Sequence, residues 1–182
     1  MAGGVLSGLK VAFLATDMVE RSELIEPWIA LKDADADLEL ISIRSGRIQL
    51  TSHYDRADTF PVDRVVSEVC PADYGALVLP GGVGNLDTLR LDEDVVDFVR
   101  HFFEAGKPVG AICHALWLLI EADVARGRTL TSWPSLRTDL LNAGAVWADE
   151  QVIVDRNLVT SRRPDDIPAF TAEVVKLFAT RA

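Results

Sequence analysis

Short apolar runs alternate along this chain with stretches of helical periodicity. Between the runs, apolar residues recur at spacings of three and four, as they do on one face of a helix. Buried strands joined by helices over short connections predict an open, mostly parallel sheet with helices on both faces. We therefore expect an α/β fold built as a three-layer α/β/α sandwich. The clearest runs are VAFLAT at 11–16, LELISI at 38–43, ALVLP at 76–80 and PVGAIC at 108–113.

The second half of the chain continues the pattern up to its end. Gly106 follows an amphipathic segment as a helix stop signal, and the stretch DRN at 155–157 predicts the turn of a β-hairpin. Residues 54–73 show no regular period, so we expect irregular structure there. Further elements are predicted as a strand at 129–133, a helix at 135–144 and a last helix at 165–179.

Length and composition restrict the class of protein. A chain of 182 residues with 49% hydrophobic and 25% charged residues suits one globular domain, spanning 1–182. The net charge of −10 argues against a nucleic-acid surface, and no apolar run is long enough for a membrane span or a signal peptide. Two cysteines form neither a disulfide framework nor a zinc site, so we expect a cytoplasmic protein with no metal and no cofactor.

Cys113 and His114 stand where an apolar run ends and a helix begins. The first turn of a helix has unpaired N–H groups and a positive dipole end, which together stabilise a thiolate. This arrangement resembles the nucleophile elbow of α/β enzymes, with cysteine in place of serine. The alternative is that Cys113 only fills the core, since free cysteines are commonly buried.

In sheets of this kind, ligands bind at the carboxyl ends of the strands. The residues that follow the predicted strands are therefore candidates for one common site. They are 17–20 after the first strand, 81–87 after ALVLP, Cys113 with His114, and Trp133 with Pro134.

Six motifs in order give the chain a resemblance to the PfpI-type intracellular cysteine peptidases of the ThiJ/PfpI superfamily. The resemblance implies a flavodoxin-like fold related to class I glutamine amidotransferases, and homo-oligomers that are dimers or hexamers. The motifs are E-x-x-E-L-x-x-P at 20–27, A-L-V-L-P-G-G at 76–82, G-K-P-V-x-A-I-C-H at 106–114, G-R-x-L-T-S-W-P at 127–134, N-A-G-A at 142–145 and V-x-S-R-x-P-D-D at 159–166.

The resemblance also implies roles for individual residues. Cys113 matches the family nucleophile, Glu20 the acid whose carboxyl hydrogen-bonds its sulfur, and His114 the proposed base. Gly82 and the backbone N–H of His114 match the oxyanion donors. In peptidase members, an acid from a neighbouring subunit orients the histidine, and Asp87 reaches that position only with one extra residue in the loop. Glu23 and Glu26 are interpreted as solvated acids on the helix face.

Three functions remain open on the sequence. The first is a glyoxalase- or deglycase-like enzyme, in which a Cys113 thiolate attacks a small reactive carbonyl. The second is a cysteine peptidase with a Cys-His-Asp site between subunits, which acts on peptides. The third is an oxidative-stress sensor or chaperone that responds through oxidation of Cys113, since an activated thiolate is the first target of oxidants.

Overall fold

The computed structural model describes residues 4–181. Its helices are α1 (Arg21–Asp33), α2 (Val83–Leu89), α3 (Glu93–Glu104), α4 (Leu116–Glu121), α5 (Arg137–Asn142) and α6 (Ile167–Phe178). Its strands are β1 (Lys10–Leu14), β2 (Val19–Glu20), β3 (Asp37–Ser42), β4 (Arg47–Ser52), β5 (Asp55–Pro61), β6 (Arg64–Val65), β7 (Ala76–Leu79), β8 (Val109–Ile112), β9 (Thr129–Leu130), β10 (Val146–Trp147), β11 (Val152–Asp155) and β12 (Leu158–Ser161).

A seven-stranded sheet forms the middle layer, in the order β11-β12-β8-β7-β1-β3-β6. All neighbouring strands are parallel except β11, which forms the predicted hairpin with β12. One face of the sheet packs against α1 and α6 and the other against α2, α3, α4 and α5, each through its own buried apolar cluster. The predicted three-layer α/β sandwich is confirmed.

The prediction of irregular structure at 54–73 is wrong in its first part. Strand β5 lies there and pairs antiparallel with β4, and β2 completes a small three-stranded sheet. Most residues of β5 are exposed, so this strand shows no apolar alternation that its sequence could reveal. Further along, Cys70 is exposed.

The predicted strand at 129–133 is also shorter than expected. It ends at Leu130, because the backbone N–H of Thr131 binds the side-chain oxygen of Thr160 instead of a strand partner. Further along, the Trp133 N–H donates to the Cys113 carbonyl oxygen at 3.2 Å, so this segment reaches the carboxyl end of β8. No helix among residues 4–181 combines the length and the apolar character needed to cross a membrane.

Candidate active site

Cys113 occupies a strained turn at the carboxyl end of β8. Its φ is +65°, a left-handed conformation that a side chain rarely adopts, and a 3-10 turn over Cys113–Ala115 leads directly into α4. Gly81 lies against this turn, where an added Cβ would come within 2.7 Å of the Cys113 Cβ. The resulting geometry is a nucleophile elbow that leaves Cys113 with 7% of its surface exposed.

Two backbone N–H groups lie close enough to the Cys113 sulfur to act on its pKa. They belong to His114 and Gly82, and both favour negative charge on the sulfur. Gly82 has a φ of +99°, and a Cβ there would meet the Met18 carbonyl oxygen at 2.4 Å, so only glycine fits. This placement is consistent with the oxyanion role expected for Gly82 and His114, which stays a prediction.

The acid that approaches the sulfur is Glu23, and the prediction that Glu20 contacts it is wrong. Glu23 is completely buried, its Oε2 accepts the Gly81 N–H at 2.8 Å, and its carboxyl interacts with the Cys113 side chain. Its Oε1 has no hydrogen bond of good geometry within residues 4–181. Glu23 is therefore not the solvated acid expected from the sequence.

Glu20 is engaged elsewhere. It is the residue before α1, and its carboxylate accepts the backbone N–H of His53 at 2.8 Å and the hydroxyl of Ser22 at 3.4 Å. Both acids belong to the E-x-x-E-L-x-x-P motif, one helical turn apart. The missed signal is the spacing of Glu23 and Pro27, which are four residues apart and therefore lie on one side of α1; both are buried. Glu26 is exposed, as expected.

Burial raises the pKa of both the Glu23 carboxyl and the Cys113 thiol. Burial, followed by repulsion from Glu20, raises the pKa of Glu23 to about 8. Burial, followed by repulsion from the Glu23 carboxylate, also raises the pKa of the Cys113 thiol, against the lowering by the two backbone N–H groups. The expectation of a thiol with a depressed pKa is therefore wrong.

The two titrations are coupled, because the charge on one group disfavours the charge on the other. With its pKa at about 8, Glu23 is mostly protonated at neutral pH, and the repulsion that it exerts on a thiolate is then absent. A protonated Glu23 can also donate a hydrogen bond to the sulfur. Both groups are therefore mostly protonated at neutral pH, and a thiolate forms when a base takes the thiol proton while the protonated carboxyl stays beside the sulfur as a hydrogen-bond donor.

His114 places a ring nitrogen against the nucleophile. Its Nδ1 lies 3.1 Å from the Cys113 sulfur, and its ring packs between Trp117 and Trp133 at centroid distances of 5.3 and 5.9 Å. Burial lowers the pKa of His114 to about 4, so the ring is neutral at physiological pH. A neutral imidazole at this distance can accept the thiol proton.

Asp87 is exposed and lies on α2, a short helix where the sequence suggested a loop. Within residues 4–181 it makes no hydrogen bond to His114, so a role of Asp87 across subunits stays a prediction. Asn85, on the same helix, was missed. It is fully buried, accepts the N–H of Thr16 at 2.8 Å and donates to the Gly81 oxygen at 3.0 Å, which fixes the glycine turn to the end of β1.

The part of the chain from residue 4 to residue 181 contains no group of three or more His, Cys, Asp or Glu side chains arranged to hold a metal ion. The groups around the sulfur that can take part in a reaction are the Cys113 thiol, the Glu23 carboxyl, the His114 imidazole and the backbone donors. Cys113 and His114 directly follow β8, Gly82 lies between β7 and α2, and Glu23 is in the first turn of α1.

Known proteins share this architecture. The sequence profile described as "DJ-1/PfpI family" matches residues 9–177. The Escherichia coli "Protein/nucleic acid deglycase 2" is 43% identical over 92% of this chain and 96% of its own length. The Bacillus subtilis protein named "Putative cysteine protease YraA" is 38% identical over 92% of this chain and 97% of its own.

A solved structure has a similar fold and a related sequence. The crystal structure of a two-domain protein from Anabaena variabilis, with DJ-1/ThiJ/PfpI-like and ferritin-like domains, superimposes with a TM-score of 0.87 at 34% identity. The match covers 92% of this chain and 47% of the Anabaena protein, so this chain spans about half the length of that relative. The fold, the elbow and the matched sequences agree, and the chain belongs to the DJ-1/PfpI family.

Proposed function

We propose that this protein is a cysteine-dependent enzyme that acts on small reactive carbonyl compounds and their adducts, in the manner of a deglycase. The observation that carries the proposal is the placement of the Cys113 sulfur between two backbone N–H donors and the buried acid Glu23. The name of the Escherichia coli relative, a protein and nucleic acid deglycase, supports the same chemistry.

The proposed reaction begins with transfer of the thiol proton from Cys113 to the neutral His114 ring, whose Nδ1 lies 3.1 Å from the sulfur. The sulfur attacks the aldehyde carbon of a substrate such as methylglyoxal, a C–S bond forms, and the carbonyl oxygen takes up a proton to give a hemithioacetal. Protonated Glu23 is placed to supply that proton, since its pKa of about 8 is near the working pH.

The hemithioacetal then isomerises and is hydrolysed. A proton leaves the carbon bonded to sulfur and a proton adds to the neighbouring carbonyl carbon, so the first carbon is oxidised as the second is reduced. The product is a thioester of a hydroxy acid. Attack by water breaks the C–S bond, releases lactate and restores the thiol. In the net reaction, methylglyoxal and one water give lactate. The backbone N–H groups of Gly82 and His114 are positioned to stabilise negative charge in these steps.

A cysteine peptidase is the second candidate, favoured by the 3.1 Å contact between the His114 Nδ1 and the Cys113 sulfur. Hydrolysis of a peptide needs the histidine to protonate the leaving amine and a third group to orient it. Asp87 is exposed, so a second copy of the chain could supply that carboxylate in a homo-oligomer.

The two free cysteines suit the reducing cytoplasm that we propose as the location.

The functions are separated by comparing two substrates. We expect the purified protein to convert methylglyoxal to lactate and to leave unstructured peptides intact, and Cys113→Ser to abolish lactate formation. Cys70→Ser is the matched control, because it removes the other thiol and should not change the rate. Equal rates for wild type and Cys113→Ser would exclude the carbonyl chemistry. Cleavage of peptides that disappears with Asp87→Asn would favour the peptidase.

A further inference from the structure

His114 lacks the carboxylate that commonly orients a histidine base. Within residues 4–181 its one hydrogen-bonding contact joins Nδ1 to the Cys113 sulfur at 3.1 Å, and none joins its other ring nitrogen to an acid. A ring held by a single contact can turn about its two side-chain torsions, and either turn moves Nδ1 away from the sulfur. Packing is then what can fix the position of this ring.

Two tryptophan rings pack against the His114 ring. Trp133 stacks on it, with an interplanar angle of 25° and centroids 5.9 Å apart, and Trp117 meets it at 66° with centroids 5.3 Å apart. Stacked and edge-to-face arrangements are both favourable for aromatic pairs. The histidine is left with 8% of its surface exposed. Rotation of its ring would break one of these contacts or both.

The backbone of Trp133 is bonded to the nucleophile itself, since its N–H donates to the carbonyl oxygen of Cys113 at 3.2 Å. The segment is also tied to the sheet, because the Thr131 N–H binds the Thr160 hydroxyl at 3.0 Å. Trp133 is not a core-filling residue, since 37% of its surface is exposed. Its stacked ring therefore keeps a fixed place relative to the sulfur.

Trp117 is anchored by two charged side chains from outside its own helix. Its indole N–H donates to the Asp139 carboxylate of α5 at 3.2 Å, and the Arg90 guanidinium lies 5.2 Å from its ring centroid. Arg90 in turn pairs with Glu121 at 2.9 Å. A half-buried indole that is held in this way presents one fixed surface to His114, three residues earlier in the chain.

We propose that Trp117 and Trp133 are positioning residues, which together hold the His114 ring with Nδ1 against the Cys113 sulfur in place of an orienting carboxylate. The inference rests on the proposed function, since it takes His114 as the group that removes the thiol proton. It adds that the base is oriented within one chain, so the carbonyl chemistry needs no residue of a second copy.

The test reads the state of the His114 ring directly. The chain has three histidines, so proton–nitrogen NMR spectra of the ring nitrogens resolve them, and His114→Gln identifies the signal. These spectra give the tautomer and the pKa of each ring. We expect the wild-type ring to be neutral at neutral pH with its proton on Nε2, because Nδ1 faces the sulfur as an acceptor.

Removing either tryptophan ring should release the imidazole and admit water to it. Trp117→Leu and Trp133→Leu should each raise the pKa of His114 from about 4 towards its ordinary 6.5, by about 1 or more, and give a mixture of the two tautomers. With methylglyoxal as substrate, the loss should fall on kcat, about 10-fold, rather than on KM, because the base acts in the chemical steps. Trp133→Phe should restore most of both properties, since it keeps an aromatic ring on the imidazole.

Trp28→Leu is the matched control. Trp28 is half-buried like Trp117, but it packs on Phe13 and Phe60 in the apolar cluster under α1 and α6. Its replacement removes a similar apolar surface without touching His114, so the tautomer and the pKa of that ring should stay as in wild type.

An unchanged His114 signal in either Trp117→Leu or Trp133→Leu would overturn the inference, as would an equal change in Trp28→Leu or a wild-type ring protonated on Nδ1. If His114 responds as expected but wild type forms no lactate, the positioning stands and the proposed function is wrong. If lactate formation depends on Cys113 but neither tryptophan changes the ring, the proposed function stands and this inference fails.

Discussion

Replacing Glu23 by glutamine is expected to stabilise the protein at neutral pH while it abolishes activity. Burial raises the pKa of this carboxyl from 4.5 to about 8, so between these values the folded chain holds a proton that the unfolded chain has released. The unfolded state then binds fewer protons, and the free energy of unfolding falls as the pH rises from 4.5 towards 8. Below that range both states are protonated and the effect vanishes.

The size of this effect on the free energy of unfolding follows from the shift in the pKa of Glu23. One pKa unit corresponds to about 1.4 kcal/mol, so at pH 7 the group lowers the stability of wild type by about 3 kcal/mol. Glutamine is neutral at every pH, keeps an oxygen for the Gly81 N–H and matches the shape of the acid. The stability advantage of Glu23→Gln should therefore grow by about 2 kcal/mol between pH 5 and pH 7.

Urea unfolding of wild type and Glu23→Gln at a series of pH values measures this difference directly. Glu26→Gln, one turn further along α1 at an exposed position, is the control and should run parallel to wild type. Titration of His114 affects both proteins equally and cancels. A difference between wild type and Glu23→Gln that does not change with pH would refute a protonated Glu23 in the folded state.

The remaining predictions concern the other groups around the sulfur. Gly82→Ala should destabilise the protein by more than Gly46→Ala. Both glycines have a positive φ, but only at Gly82 would a Cβ meet another atom, at 2.4 Å. Thermal unfolding compares the two variants, and equal losses of stability would contradict the close contact. The folded pKa of His114, about 4, lies below its ordinary 6.5, so its contribution to stability is full above pH 6.5 and is lost on acidification towards pH 4. His114→Gln should flatten that part of the pH profile of urea unfolding, and a profile identical to wild type would argue against a buried neutral ring. Because Cys113 is buried and the pKa of its thiol is raised, mild peroxide should oxidise the exposed Cys70 first, and mass spectrometry showing two oxygen atoms added to Cys113 before Cys70 would instead support the oxidative-stress sensor.

The layers of the fold could be predicted because buried parallel strands have continuous apolar sequences. The runs around Phe13, Val78 and Ala111 all became strands of the central sheet within one or two residues of their expected ends. Strand β5 could not be found in this way. It lies at the edge of a small sheet with most residues exposed, so its pairing with β4 depends on the hairpin and not on an apolar pattern.

The site could be located from the sequence, but not all of its contacts. The order of strand ends predicted that Cys113 and Gly82 meet on one edge, and they do. Which of Glu20 and Glu23 reaches the sulfur depends on which side of α1 faces the sheet. Glu20 is the residue before α1, whereas Glu23 lies in its first turn, on the buried side. The pKa of the thiol depends on burial and on the charge of Glu23, and neither is visible in spacing alone.

The most direct test of the account is the rate of lactate formation from methylglyoxal, measured as kcat/KM for four proteins at one pH. We predict that Cys113→Ser and Glu23→Gln each lose a factor of about 100 or more relative to wild type, since one lacks the nucleophile and the other the proton carrier. Glu20→Gln should stay within about 3-fold of wild type, because that carboxylate binds His53 and affects the site only through its charge. Full activity in Glu23→Gln together with loss in Glu20→Gln, or activity in Cys113→Ser, would contradict the account.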